Sequence, residues 1–233
     1  MSESFYVDLI SDLHLTDSDT FDWEGKSTSL FCVVAGNISD DLEVLHRTLK
    51  HLGDNYRGVF YIDGSLEHSD LSEYDSRILS IRKICDSLNN VVYLHNHVVI
   101  LNGIAFVGVN GWYGNRKQLN EPEDAEYIEM YKKDEVNYLS NTIKQLQGHD
   151  EVNKIIIISN SMPSKYLGFN SPKVNFPDDE NLALSLLFDY GVMVKAWLFG
   201  TDDIDVDVEV GSRRFVNNPV MPGLLYWPKK IAV

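Results

Sequence analysis

The sequence predicts an α/β fold in which sheet structure is covered by helices on both faces. Two observations predict it. Short apolar runs rich in β-branched and aromatic residues recur along the chain, and stretches with apolar residues at helical spacing separate several of them. Alternation at this spacing builds βαβ units. A third observation bounds the architecture. The 233 residues contain no repeat, no low-complexity tract and no Pro/Ser-rich linker, so the chain reads as one domain over residues 1–233.

The elements follow in order. Strands are expected over Phe5 to Ser11, Phe31 to Gly36 and Gly58 to Asp63. Between the second and third, Ser39 or Asp40 caps a helix running to about Leu52. From Ser72 to Leu88, Ile78, Ile81, Ile84, Cys85 and Leu88 recur at helical spacing. Strands then fall at Val91 to Leu94, Val98 to Leu101 and Ile104 to Val109. Glu121 to Gln147 is a long helical stretch, with Pro122 near its start and Gly148 as its stop. A strand at Lys154 to Ser159, a helix at Asp178 to Tyr190 ended by Gly191, and a strand at Ala196 to Gly200 complete the alternation. Past Ile204 the pattern changes: Asp205, Asp207 and Glu209 alternate with valines, and Gly211-Ser212 turns the chain into Arg213 to Val216. That is a hairpin with one wet face. Its acidic residues read as a solvated strand face rather than a metal site.

Composition excludes several classes. Hydrophobic residues at 44% and charged residues at 24% are ordinary for a globular protein. No apolar run approaches the ~20 residues of a membrane helix. Met1-Ser2-Glu3-Ser4 lacks the basic region and apolar core of a signal peptide. Cys32 and Cys85 sit in apolar or helical contexts and read as free buried thiols of a reducing compartment, so a cytoplasmic protein is expected. The net charge of −15 repels phosphate backbones, which argues against general nucleic-acid binding. It permits a basic protein partner, although solubility alone accounts for it. Nothing here sets the oligomeric state.

In open α/β sheets chemistry collects at the carboxyl ends of strands. The first strand ends in Ser11-Asp12-Leu13-His14, where an Asp and a His two apart can grip one cation. The second ends in Gly36-Asn37-Ile38-Ser39-Asp40 and the third in Gly64-Ser65-Leu66-Glu67. The isoleucine strand ends in Ser159-Asn160-Ser161-Met162-Pro163, and the strand at Trp197 in Gly200-Thr201-Asp202-Asp203. In this order and strand context, the five ends resemble the calcineurin-like metallophosphoesterase family. Its pattern is Asp-x-His, Gly-Asp-x-x-Asp/Asn, Gly-Asn-His-Asp/Glu, a His before a Pro-containing turn, and Gly-His-x-His. Tyr93 to Asn96, Phe106 to Trp112, and Arg213 to Val216 with Asn217-Asn218-Pro219 extend the likeness over almost the whole chain. The resemblance implies a four-layer α-β-β-α sandwich, two mixed sheets flanked by helices.

The departures from that pattern matter as much. The family bridges two metals with one carboxylate, clamps a phosphate and makes hydroxide from bound water. Here the bridging position is Asn37, the second-metal Asn is Ser65, and the neighbouring proton donor is Leu66. The fourth-motif His is Asn160, and the paired last histidines are Thr201 and Asp203. The first metal position would see Asp12, His14, Asn37 and Asp203, a set that could hold one Mg²⁺, Mn²⁺ or Zn²⁺. The second would see Asn37, Ser65, Asn160 and Thr201, four neutral groups that cannot offset dehydration of a divalent ion. Loss of the proton donor at Leu66 removes an effect worth about 10²–10⁴-fold. The resemblance therefore implies a non-catalytic binding or regulatory protein with no cofactor or one weakly held cation. The alternatives are a mononuclear phosphoesterase with slow or narrow activity, and an acidic decoy that engages a basic surface by charge.

Other residues read more plainly. His95 and His97 are expected as surface or hydrogen-bonded structural histidines, and His46 and His51 fall five apart, off the spacing that shares a metal. His68 is displaced by one position from the lost His, which redirects its side chain, and Glu67 is expected to support its loop. Asp12 and His14 can also be read as a hydrogen-bonded pair packing the strand-end loop.

Overall fold

The computed structural model describes residues 5–111, 122–164, 167, 192–200, 204–221 and 225–233. The chain forms β1 (Tyr6–Ile10), β2 (Phe31–Ala35), α1 (Leu42–Asn55), β3 (Gly58–Ile62), α2 (Tyr74–Asp86), β4 (Val91–Tyr93), β5 (His97–Leu101) and β6 (Ile104–Val109). It continues with α3 (Pro122–Gln147), β7 (Lys154–Ser159), β8 (Val194–Phe199), β9 (Asp207–Val210), β10 (Arg213–Asn217) and β11 (Lys229–Ala232). The first sheet runs β11-β1-β2-β3-β4 and the second β5-β6-β7-β8-β10-β9. Both are mixed: β11, β5 and β9 are antiparallel to their neighbours and the other pairings are parallel.

Side-chain alternation explains the layers. Val33 and Ala35 of β2, Phe60 and Ile62 of β3, and Ile156 and Ile158 of β7 fill a core between the sheets. The intervening Cys32, Val34, Val59 and Tyr61 face α1 and α2, while Ile155 and Ile157 face α3. Each central strand is thus buried on both faces, so it reads as an unbroken apolar run. The four-layer sandwich follows. Phe5, Phe31, Phe60 and Phe106 cross the inter-sheet core in ring contacts of 5.2, 6.1 and 4.7 Å, pairs worth roughly 0.5–1.5 kcal/mol each beyond burial. Trp23 is buried on the α1 side and donates Nε1–H to the Tyr56 hydroxyl at 3.0 Å. Trp197 is buried on the α3 side and donates to Ser159 Oγ at 2.8 Å.

Several boundaries differ from expectation. The cap of α1 is Asp41, whose carboxylate accepts from the N–H groups of Glu43 and Val44. Ser39 is not the cap: its hydroxyl is committed to the Leu15 carbonyl at 2.7 Å. The helix also runs past Leu52 through Gly53 to Asn55, held by burial of Val44, Leu45, Thr48, Leu49 and Leu52. A short 3₁₀ turn, Leu71–Glu73, precedes α2. β11 lies outside the strands that hydrophobic runs mark, because Ile231 is its one fully buried residue. The predicted helix Asp178 to Tyr190 and its Gly191 stop lie outside the described residues, as does Trp112. The acidic hairpin strand β9 is exposed throughout, and Asp207 forms a two-pronged ion pair with Arg214, both contacts at 2.8 Å. Cys32 and Cys85 are free and buried. Among the described residues no helix is long and apolar enough to cross a membrane.

Candidate functional site

The carboxyl ends of β1, β2, β3 and β7 meet at one edge of the sandwich. Beyond β1 and β2 the chain continues side by side: Asp12 N–H bonds the Gly36 carbonyl at 3.0 Å, His14 N–H the Asn37 carbonyl at 3.0 Å, and Leu15 N–H the Ile38 carbonyl at 2.8 Å. To make these turns Asp12, His14 and Asn37 adopt φ of 56°, 48° and 59°, and Gly36 takes 79°. Left-handed backbone is uncommon outside glycine, is best tolerated by Asn, Asp and His, and gathers at functional sites.

Asn37 is the hub. Its Nδ2 donates to Asp12 Oδ1 at 2.9 Å. Its Oδ1 accepts from Leu66 N–H at 2.9 Å and from Ser65 Oγ at 3.5 Å. Asn160 braces the next layer: Oδ1 accepts from Ser65 N–H at 3.3 Å and Nδ2 donates to the Ala35 carbonyl at 3.1 Å. Backbone without side chains makes room for these amides. A Cβ on Gly64 would lie 2.3 Å from Asn37 Oδ1, and one on Gly36 2.6 Å from Asn160 Nδ2. Glu67 draws the loops together, accepting N–H bonds from Asn37 (3.0 Å), Ile38 (2.6 Å) and Gly64 (2.8 Å). Burial raises its pKa, opposed by the Ile38 and Gly64 N–H groups. It supports its loop, as the sequence suggested.

One network therefore holds Asp12, Asn37, Ser65 and Asn160. Leu66 joins it through its backbone and His14 through the Asn37 carbonyl, with the His14 residue itself exposed. Thr201 and Asp203 lie outside the described residues. Among the described residues, no group of three or more His, Cys, Asp or Glu could hold a metal ion.

A second buried polar cluster lies alongside, and sequence reasoning missed most of it. Asp63, at the end of β3, bonds His68 Nε2 through Oδ2 and His95 Nδ1 through Oδ1, the latter at 3.3 Å. Asn110, after β6, donates Nδ2 to the Asp63 carbonyl at 3.0 Å and to Oδ2 at 3.3 Å. Glu135 of α3, 2% exposed, accepts from Asn110 N–H at 2.6 Å and Gly111 N–H at 2.8 Å. Burial would raise the Asp63 pKa, yet His95 and His68 hold it well below the carboxylate range. Burial would lower His95, but the Asp63 charge and hydrogen bond leave it raised. Burial pushes Glu135 up to about 7 against its two N–H donors. His68 has turned into this cluster, while His97 is exposed. One signal was available for Glu135. It stands four residues before Leu139 and eight before Ile143, on the face α3 buries, where an unpaired carboxylate is costly.

No family model and no curated protein sequence matches the chain. Solved structures do. A phosphopantetheinyl hydrolase (PptH) from Mycobacterium tuberculosis aligns with TM-score 0.61 at 13% identity, over 99% of this chain and 97% of its own. A putative 5'-nucleotidase from Staphylococcus aureus aligns with TM-score 0.52 at 9% identity, over 93% of this chain and 49% of its own. This chain thus spans about half of the nucleotidase's length. At such identities the likeness is one of fold, and the fold is metallophosphoesterase-like.

Proposed function

We propose that this phosphoesterase-fold chain acts by binding or regulation and does not hydrolyse phosphate esters. The observation that carries this reading is the 2.9 Å bond from Asn37 Nδ2 to Asp12 Oδ1. A cation-bridging position needs a lone pair facing the ion, and the group Asn37 presents to Asp12 is an N–H donor. The Asn37 oxygen already accepts from Leu66 and Ser65. Asn160 spends its amide on Ser65 and Ala35, so the second metal position, with Ser65 and Thr201, does not suit a divalent ion. Hydrolysis of phosphate esters demands a very large barrier reduction. A chain without a bridge, a second clamp or a proton donor at Leu66 lacks the parts that supply it. The first position, Asp12, His14, Asn37 and Asp203, retains at most one weakly held Mg²⁺, Mn²⁺ or Zn²⁺. The −15 charge suits a basic protein partner rather than nucleic acid.

The test is turnover of bis-p-nitrophenyl phosphate and p-nitrophenyl phosphate with Mn²⁺, Mg²⁺ or Zn²⁺, comparing wild type with Asp12→Ala. Both are expected to be equally silent. Wild-type turnover that Asp12→Ala abolishes would establish a mononuclear phosphoesterase and overturn the binding reading.

A further inference from the structure

The cluster around Glu135 has no part in the reading above, yet it ties helix, sheet and candidate site together. Glu135 sits on the buried face of α3 and reaches the backbone just past β6, taking both N–H groups of Asn110–Gly111 on its two oxygens. The Asn110 carbonyl in turn accepts from the N–H groups of Asn160 (3.0 Å) and Ser161 (3.2 Å). Asn110 Nδ2 holds the end of β3 through Asp63. One carboxylate therefore fixes the block on which the Asn160 turn rests.

A buried carboxylate holds two backbone donors most strongly when ionised, because both oxygens then accept as charged groups. When protonated, one oxygen carries an O–H and its acceptor strength falls. Among the described residues, the titratable groups facing Glu135 are His95, on the turn after β4, and Asp63, at the end of β3. On its own helix Lys133 and Asp134 are exposed. Asp63 disfavours the ionised form and His95 favours it, so loss of charge on His95 and gain of a proton on Glu135 are coupled. We propose that Glu135 is a proton-operated clamp: ionised, it locks the end of β6 to α3, and on taking up a proton it loosens Asn110–Gly111 and the Asn160 turn resting on them. The position of Glu135 near neutrality, about 7, supports this placement.

The experiment is a pH titration of ¹³C,¹⁵N-labelled protein, following the amides of Asn110 and Gly111 and the Glu135 carboxyl carbon by NMR. Both amides are expected to move together with the Glu135 midpoint near neutrality. Their exchange protection should fall about tenfold or more on the acid side, as expected for one lost charge-assisted bond. Glu135→Gln, which cannot ionise, should flatten both curves. Amides that do not titrate, or a Glu135 carboxyl with its midpoint in the ordinary carboxylate range, overturn the clamp in wild type alone. Titration that persists in Glu135→Gln assigns it to His95 and overturns the clamp as well.

Discussion

A side-chain amide donates and accepts at once, and position 37 uses both halves: N–H toward Asp12, oxygen toward Leu66 and Ser65. A carboxylate there would keep the acceptor half and lose the donor, setting two like charges where a 2.9 Å hydrogen bond now lies. Asn37→Asp is therefore expected to destabilise the fold by about 1–3 kcal/mol in EDTA, the range for a broken buried polar pair. Mn²⁺ should recover part of that loss, because the variant regains a bridging carboxylate. Thermal melts of both proteins with EDTA and with Mn²⁺ measure this. Equal stability in EDTA would show that the Asn37–Asp12 bond contributes nothing. Much of this network was legible in the sequence, since Asp12, Asn37, Ser65 and Asn160 each follow a recognisable strand. The Asp63–Glu135 cluster was not. Its members lie up to 72 positions apart and meet only when β3, β4, β6 and α3 are packed.

At the scale of elements, the central strands were legible because burial on both faces writes them as apolar runs, such as Ile155 to Ile158. β11 was hidden because pairing with β1, from Tyr6–Ala232 to Leu9–Lys229, is a backbone interaction that two lysines do not signal. The start of α1 was misplaced because Ser39, Asp40 and Asp41 are all plausible caps. Tertiary contact removes Ser39 by engaging it with Leu15, and of the two acids it is Asp41 whose carboxylate takes the Glu43 and Val44 N–H groups. Asp41→Ala should destabilise the protein, because two N–H groups of the first turn lose their cap. It should lower the urea midpoint without changing the slope, whereas Asp40→Ala should leave the midpoint unmoved. The reverse ranking would restore Asp40, one of the two caps expected from the sequence.

Across the whole molecule, the buried acids set a pH dependence whose sign can be worked out. Burial raises Glu135 from 4.5 to about 7. Its stabilising contribution is therefore fully present below the unfolded value and is lost as pH rises through the folded one. The span amounts to about 3 kcal/mol. Glu67 and His95 are also raised and act in the same direction, each lost as pH rises. Asp63 is lowered, so its contribution disappears only under acid conditions, below the ordinary range of Asp. Unfolding free energy is expected to fall from about pH 5 to about pH 7.5, and Glu135→Gln should remove the larger part of that slope. A slope unchanged in the variant would assign it to the self-repulsion of the −15 charge instead. The clamp and this global trend are separate: a proton on Glu135 relieves the cost of a buried charge while weakening one local bond.

Among the described residues two tryptophans are buried, and they give the sandwich a built-in optical readout. Trp23 belongs to the layer beneath α1 and Trp197 to the layer beneath α3, each sealed from water with its indole N–H on a hydroxyl oxygen. In a protein whose other tryptophans, Trp112 and Trp227, are replaced by phenylalanine, Trp23→Phe and Trp197→Phe would each leave one emitter reporting one half of the fold. Superimposable red shifts during denaturation would mean that both halves melt as one cooperative unit. Separated shifts would reveal which half yields first, without any label.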